Sequence, residues 1–192
     1  MTKVPIINSH PIMGFASTEF YVSNDEVLII QNNRIYPFSE ISETHKQILL
    51  DEIESDLQVK KELLEMHPDS ELKRLEQFTK CRFGGLDYQA DITDGKLQDG
   101  EYWECPKLGN CKSEGILCKL PLYNGNRLKK EEIKLLQLTA TNKINEVIAD
   151  DLNLPLGSLH KFKKAVYKKL GIQTKQEGVV ISFFLNLIQF YN

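Results

Sequence analysis

Between Ser158 and Lys175 the chain reads SLHKFKKAVYKKLGIQTK, and the placement of its apolar residues leaves one regular structure open to it. Leu159, Phe162, Val166 and Leu170 recur every three or four positions. At about 100° per residue they fall on one stripe of an α-helix. His160, Lys161, Lys164 and Lys168 lie on the opposite face, with Tyr167 at its border. Lys163 and Lys169 flank the stripe, where long stems lie along apolar surface and the ammonium stays in water. Gly171 follows where a left-handed C-cap belongs. The segment is therefore a helix with one buried side and one cationic side. Taken alone, such a helix also describes an ordinary solvated surface. Its neighbours must decide.

Charge is unevenly distributed along the chain. The net charge is −3, yet Arg127 to Lys175 holds eleven Lys/Arg against five Asp/Glu. The remaining residues hold 13 basic against 22 acidic side chains. A basic module on an acidic body points to a polyanion partner for the module alone, and to a protein partner for the acidic part. A length of 192 residues suits one domain or two small ones. The first twenty residues lack a basic n-region and an unbroken apolar core, so no secretion signal is read there. The longest apolar run, VVISFFLNLIQF, is broken by Ser182, Asn186 and Gln189 and is too short to span a bilayer. A cytoplasmic, nucleoid-associated protein in a reducing setting is the expectation.

Residues 1–41 read as extended, with TEFYV and EVLIIQ separated by the turn signal SND and followed by NNR. The stretch from Pro37 to Lys80 reads as helical: Ile48, Leu49, Ile53 and Leu57 keep helical spacing, as do Leu63, Leu64 and Met66, then Leu72, Leu75 and Phe78. Pro68, Asp69 and Ser70 restart a helix. Residues 81–126 have a different texture, rich in Gly, Asp and Asn and holding all four cysteines. The fold class expected is mainly α with a small β N-terminal part. Three segments are expected: 1–80, a Cys-rich module 81–126, and 127–192.

Cys81, Cys105, Cys111 and Cys118 are separated by 23, five and six residues. A loop-rich segment that cannot build its own core needs a crosslink to offset its ordering cost. In a reducing compartment that favours a metal, and four thiolates suit a structural Zn2+. Gly109 and Gly115 let the backbone curl around an ion. Neither close pair has the C-x2-4-C spacing of a zinc knuckle, so unliganded thiols, disulfides and an iron–sulfur centre stay open. Tyr102 and Trp103 are read as a local aromatic core for this module. A base-stacking role for them is the lesser alternative.

From Leu128 four helices are expected: about Lys129–Thr139 with Ile133, Leu136 and Ala140 on one side; about Ile144–Asp151 with Ile144, Val147, Ile148 and Leu152 inward; the basic helix, about 156–170; and a long apolar helix after IQTKQEG. Two short helices joined by a tight turn, the second cationic outside, form a helix-turn-helix. LKKEEIKLLQL, NEVIADDLNLPLGSLHKF and VYKKLGIQTK together resemble the C-terminal DNA-binding domain of LuxR/GerE-type transcription regulators. CRFGGLD, GEYWECP and the cysteines after them resemble the front half of short regulators of Bacteroides-type bacteria and their mobile elements.

The first resemblance implies a four-helix bundle, a recognition helix in the major groove of double-stranded DNA, and a homodimer through the fourth helix. It covers about 50 to 55 of the 192 residues, and its spacing holds without gaps from Asn145 to Lys175. The sequence departs from the family pattern at several positions. Glu146 stands at a phosphate-contacting lysine, Val147 at a glutamate, Pro155 at the serine opening the turn, and Phe162 at a histidine. Ser158 stands at the family's threonine and His160 at its lysine.

Lys161, Lys164, Lys168 and Lys175 are expected at phosphates, and His160, Lys161 and Lys164 at base edges. Ser158 and Tyr167 complete the expected DNA-binding set. On the fourth helix Val179, Val180, Phe183, Phe184, Leu187 and Ile188 exceed what one bundle face needs. Either this helix pairs with a second copy, through Phe184 and Leu187, or it packs against the acidic N-terminal part.

A transcription regulator is thus the leading reading. The alternative is a helical-bundle interaction module for a polymerase subunit, another regulator or a structural protein. An enzyme is not expected: no carboxylate pair beside a His, no phosphate-cradling glycine loop and no Cys-x-x-Cys is found.

Overall fold

Four two-residue turns set the β-structure of this protein, and each uses residues that accept left-handed backbone. Asn24 and Asp25 have φ of 51° and 71°, Asn32 and Asn33 50° and 62°, Asp94 and Gly95 52° and 71°, Asn124 and Gly125 48° and 72°. Positive φ at both central positions is the geometry whose twist matches paired strands. The computed structural model describes residues 17–87 and 89–188, so expectations for residues 1–16 lie outside the described residues. Among the described residues, which are 47% helical, seven α-helices accompany a small antiparallel sheet at the N-terminal side. The chain divides into two compact units. One comprises the described residues up to Gly100 with Glu104–Cys118, the other Glu101–Trp103 with the described residues from Lys119 onward.

In the first unit, β1 (Thr18–Ser23), β2 (Glu26–Gln31) and β3 (Arg34–Pro37) pair as successive hairpins, Ser23 facing Glu26 and Gln31 facing Arg34. Two further short strands, β4 (Ile92–Thr93) and β5 (Lys96–Leu97), extend the sheet on the other side of β1, giving the order β3-β2-β1-β4-β5. Three helices follow the third strand: α1 (Glu43–Ser55), α2 (Leu57–Met66) and α3 (Glu71–Arg82). Ser42 caps the first by accepting from His45 N at 3.2 Å, and Ser70 caps the third by accepting from Lys73 N at 3.3 Å.

The sequence reading missed a helix boundary. Asp56 leaves helical geometry (φ −122°, ψ 100°), and its carboxylate accepts from Gln58 N and Val59 N at 3.1 and 3.3 Å. A short acidic side chain competes for backbone donors in this way and starts a new helix. Leu57 therefore does not continue the stripe of α1 and is exposed, as are Leu64, Met66 and Leu72. The core instead takes Leu49, Ile53, Val59, Leu63, Leu75 and Phe78 from the helices, with Phe20 and Ile29 from the sheet and Phe38 and Phe83 from the connections. Phe20 sits 6.2 Å from Phe38 and 6.3 Å from Phe83, and Phe78 lies edge-on to Phe83 at 6.2 Å.

This core lies beside buried carboxyl groups. Asp91 accepts from Phe20 N at 2.7 Å, and Glu19 accepts from Asp87 N at 3.1 Å. Burial, with Asp87 nearby, pushes the Asp91 carboxyl well above the usual carboxylate range. A raised folded-state pKa contributes stability that is present below the unfolded value of about 3.9 and lost as pH rises through the folded value. Asp91→Asn keeps an oxygen for Phe20 N and removes the charge. The stability of the native chain minus that of this variant is expected to fall as pH rises above about 4. Chemical denaturation of both across a pH series checks it.

The second unit holds the hairpin β6 (Leu122–Tyr123) and β7 (Asn126–Arg127), then α4 (Lys130–Ala140), α5 (Asn145–Asp151), α6 (Leu156–Leu170) and α7 (Lys175–Phe184). Ile133, Leu135 and Leu136 of α4, Ile148 and Ala149 of α5, Leu159, Val166 and Leu170 of α6 and Ile181 of α7 share one core. Ile144 and Val147 were expected to face inward. They are exposed, Ile144 at 63%, because α5 has only seven residues and its buried side is the pair Ile148 and Ala149. The last helix is shorter than expected: Leu185 caps it, and Asn186 turns the chain with φ of 54°.

Candidate functional site

The joint between α5 and α6 is set by its own residues. After α5, Leu154 N donates to Ala149 O at 2.9 Å and Asn153 takes a left-handed conformation (φ 53°). Pro155 is extended (ψ 144°) and stands as N-cap of α6, where its missing N–H costs nothing. At the far end Gly171 (φ 71°) closes the helix, with Ile172 N donating to Tyr167 O at 2.9 Å. α6 is thus 15 residues with defined ends, spanning Leu156–Leu170.

Its buried side holds Leu159, Val166, Tyr167 and Leu170, with Phe162 half-buried. Ser158, His160, Lys161, Lys164 and Lys168 are all exposed. Among the described residues Lys161, Lys164 and Lys168 have no hydrogen bond or ion pair. α6 carries no acidic residue of its own. The result is a row of unpaired ammonium groups on a helix fixed from behind.

Other residues take different roles from those expected. Tyr167 is a core residue, 8% exposed, and does not lie on the outer face. Its ring supports the Lys163 ammonium, 5.6 Å from the centroid, and its buried hydroxyl has no hydrogen-bond partner. Lys163 also reaches Asn145 Oδ1 at 3.4 Å. Burial, and secondarily the charge of Lys175, holds its pKa below the usual lysine range. Lys169 does not hold its ammonium in water: it donates to Glu132 Oε2 at 2.5 Å and Arg127 O at 2.7 Å.

Glu132 is buried, so this pair joins α6 to the start of α4 where the same carboxylate accepts from Lys129 N at 2.8 Å. The sequence signal was a glutamate at the third position of α4. Lys175 is exposed and donates to Thr141 O at 2.9 Å. Glu146 is exposed in the first turn of α5, where a negative charge favours the helix dipole.

On α7, Val180 and Phe184 are exposed, Phe184 at 62%. Leu187, expected beside Phe184 at a dimer contact, is buried at 3% in the core of its own unit. Gln137 Nε2 donates to its carbonyl at 3.0 Å. The turn at Asn186 carries Leu187 back toward that core.

All four cysteines lie in the first unit as half-buried free thiols. Cys81, in the last turn of α3, accepts from Gln77 Nε2 at 3.1 Å. Burial pushes its thiol up to about 11, and Cys118, Cys105 and Cys111, all three within electrostatic reach of Cys81, add to the shift. Tyr102, expected in a local aromatic core for the cysteine segment, packs instead against the helical core of the second unit, to which Trp103 also belongs.

No helix among the described residues is long and apolar enough to cross a membrane. The chain matches no protein-family model, no curated protein and no solved structure. Replacing Tyr167 by Phe removes a buried hydroxyl without a partner while keeping the ring. The variant is expected to be as stable as the native chain or more stable by up to about 1 kcal/mol. Thermal unfolding checks this.

Proposed function

We propose that this chain is a sequence-specific double-stranded-DNA-binding transcription regulator, with α5–turn–α6 as a helix-turn-helix and α6 as the recognition helix in the major groove. The observation that carries the reading is the outer face of α6: Ser158, His160, Lys161, Lys164 and Lys168 exposed together on a helix whose apolar side is buried. A polyanion is the natural partner of ammonium groups that the protein leaves unpaired. Lys161, Lys164 and Lys168 neutralise phosphates and release counterions. His160 and the first turn around Ser158 reach base edges. Lys175, anchored at Thr141, offers a further phosphate contact, whereas Lys163 and Lys169 hold the helix in place.

The exposed Val180 and Phe184 support a two-fold pairing of α7 across two copies, which would match a palindromic site. The exposed Ile144 and Val147, with Glu146 between them, favour a second reading in which this bundle binds protein and little DNA. Salt response separates the two.

For DNA binding, replacing Lys161, Lys164 and Lys168 by Gln is expected to leave the fold intact. The slope of log affinity against log salt should then fall by about one unit per lysine. Fluorescence anisotropy on duplexes selected from random sequence measures it. An unchanged slope in the folded variant refutes the assignment. Phe184→Glu is expected to convert a dimer to a monomer by analytical ultracentrifugation, while Leu187→Glu is expected to unfold the second unit.

A further inference from the structure

We infer that Cys81, Cys105, Cys111 and Cys118 form a structural site for a single zinc ion that ties the end of α3 to the loop 104–118. The inference is independent of the DNA-binding reading, since all four residues lie in the first unit.

Hydrogen bonds join the end of α3 to the loop 104–118 and hold the loop's own turns. Arg82, next to Cys81, is buried and donates from Nε to Leu117 O, next to Cys118, at 2.8 Å. Glu114 bridges to Cys118 in parallel, and Glu114 N donates to Cys111 O at 3.3 Å. Gly109 N donates to Glu114 Oε2 at 2.6 Å, and Leu108 N donates to Cys105 O at 2.9 Å. The neighbours of Cys81 and Cys118 are thus joined by one bond, the bridge and one bond lead on to Cys111, and Cys105 is reached from there through three.

Gly109 (φ 86°) and Gly115 (φ 84°) are left-handed, with open space where a Cβ would stand. Both are needed for the turns between the cysteines and neither for packing. The loop has little else to hold it: only Ser113 and Leu117 are buried, and no helix or strand lies between Glu104 and Cys118. A crosslink supplies what its own apolar contacts do not.

The donor set selects the ion. Four sulfurs favour zinc over hard cations such as magnesium or calcium, and a full set of protein ligands leaves no position for a reacting water. Zinc–sulfur bonds of about 2.3 Å place tetrahedral sulfurs about 3.8 Å apart. Among the described residues no three of these sulfurs lie within 4.8 Å of one another. Binding therefore requires the cysteine side chains, and the loop that carries three of them, to close in around the ion.

The full chain, purified without a histidine tag under reducing conditions, is expected to carry about one zinc by elemental analysis and native mass spectrometry. Cys105→Ser and Cys111→Ser are each expected to lose it. Should either variant fail to fold, cobalt(II) added to the metal-stripped native chain gives the same answer through the ligand-field and charge-transfer bands of a tetrahedral four-thiolate site. Removing zinc by chelation should raise hydrogen exchange in 104–118 and the last turn of α3, with the second unit unchanged. Iron in place of zinc, a disulfide between any pair, or a metal-free chain whose four thiols all alkylate freely would overturn the inference. So would a cobalt spectrum with fewer than four thiolates.

Discussion

Everything proposed for the second unit depends on the burial of one apolar stripe. Leu159, Val166, Tyr167 and Leu170 are held inside by Ile133, Leu136, Ile148 and Ile181. Each fully buried side chain of this kind contributes roughly 1.5–3 kcal/mol, so rotating α6 about its axis would forfeit several of them at once. That cost fixes which residues face out, and the residues left outside are cationic. The half-buried Glu132–Lys169 pair adds an angular restraint, since its short distance is kept at only one rotation of the helix. A charged surface patch keeps a fixed direction only when something rigid stands behind it.

The first unit rests on a different balance. Its sheet is narrow and its helices short, and the aromatic cluster of Phe20, Phe38, Phe78 and Phe83 joins them. Beside that cluster the chain keeps polar groups out of water, with Asp91 serving the backbone of β1 and Arg82 serving the carbonyl of Leu117. Burying such groups is costly unless they are bonded, so they specify the path of the chain rather than simply strengthen it. The loop that carries three of the four cysteines hangs on these bonds and on Leu117. A metal would close the same loop by a second, independent means.

Much of this was legible in the sequence for local reasons. Helix α6 was predicted to within its observed ends, because Pro155 and Gly171 act on the backbone directly and the stripe between them has one period. SND and NNR marked the first two hairpins through residues that tolerate left-handed φ. The same logic was available in ITDGKL and LYNGNR, yet both were read as irregular, because strands of two residues carry no periodicity to notice. Asp56 was missed because its capping role shows only in backbone geometry, while the leucines around it keep helical spacing.

The sequence by itself determined the amphipathic helices, their caps, the turns and the separation of basic from acidic stretches. All of these follow from forces acting over a few residues. The tertiary structure decided what distance along the chain conceals: that Tyr167 and Leu187 are core, that Lys169 answers a buried carboxylate, and that Cys81 lies near three cysteines more than twenty residues away. A helical wheel gives the angle of a side chain but not what stands opposite it. Only packing supplies the opposite side, and with it the difference between a lysine that holds a helix and one left free for a partner.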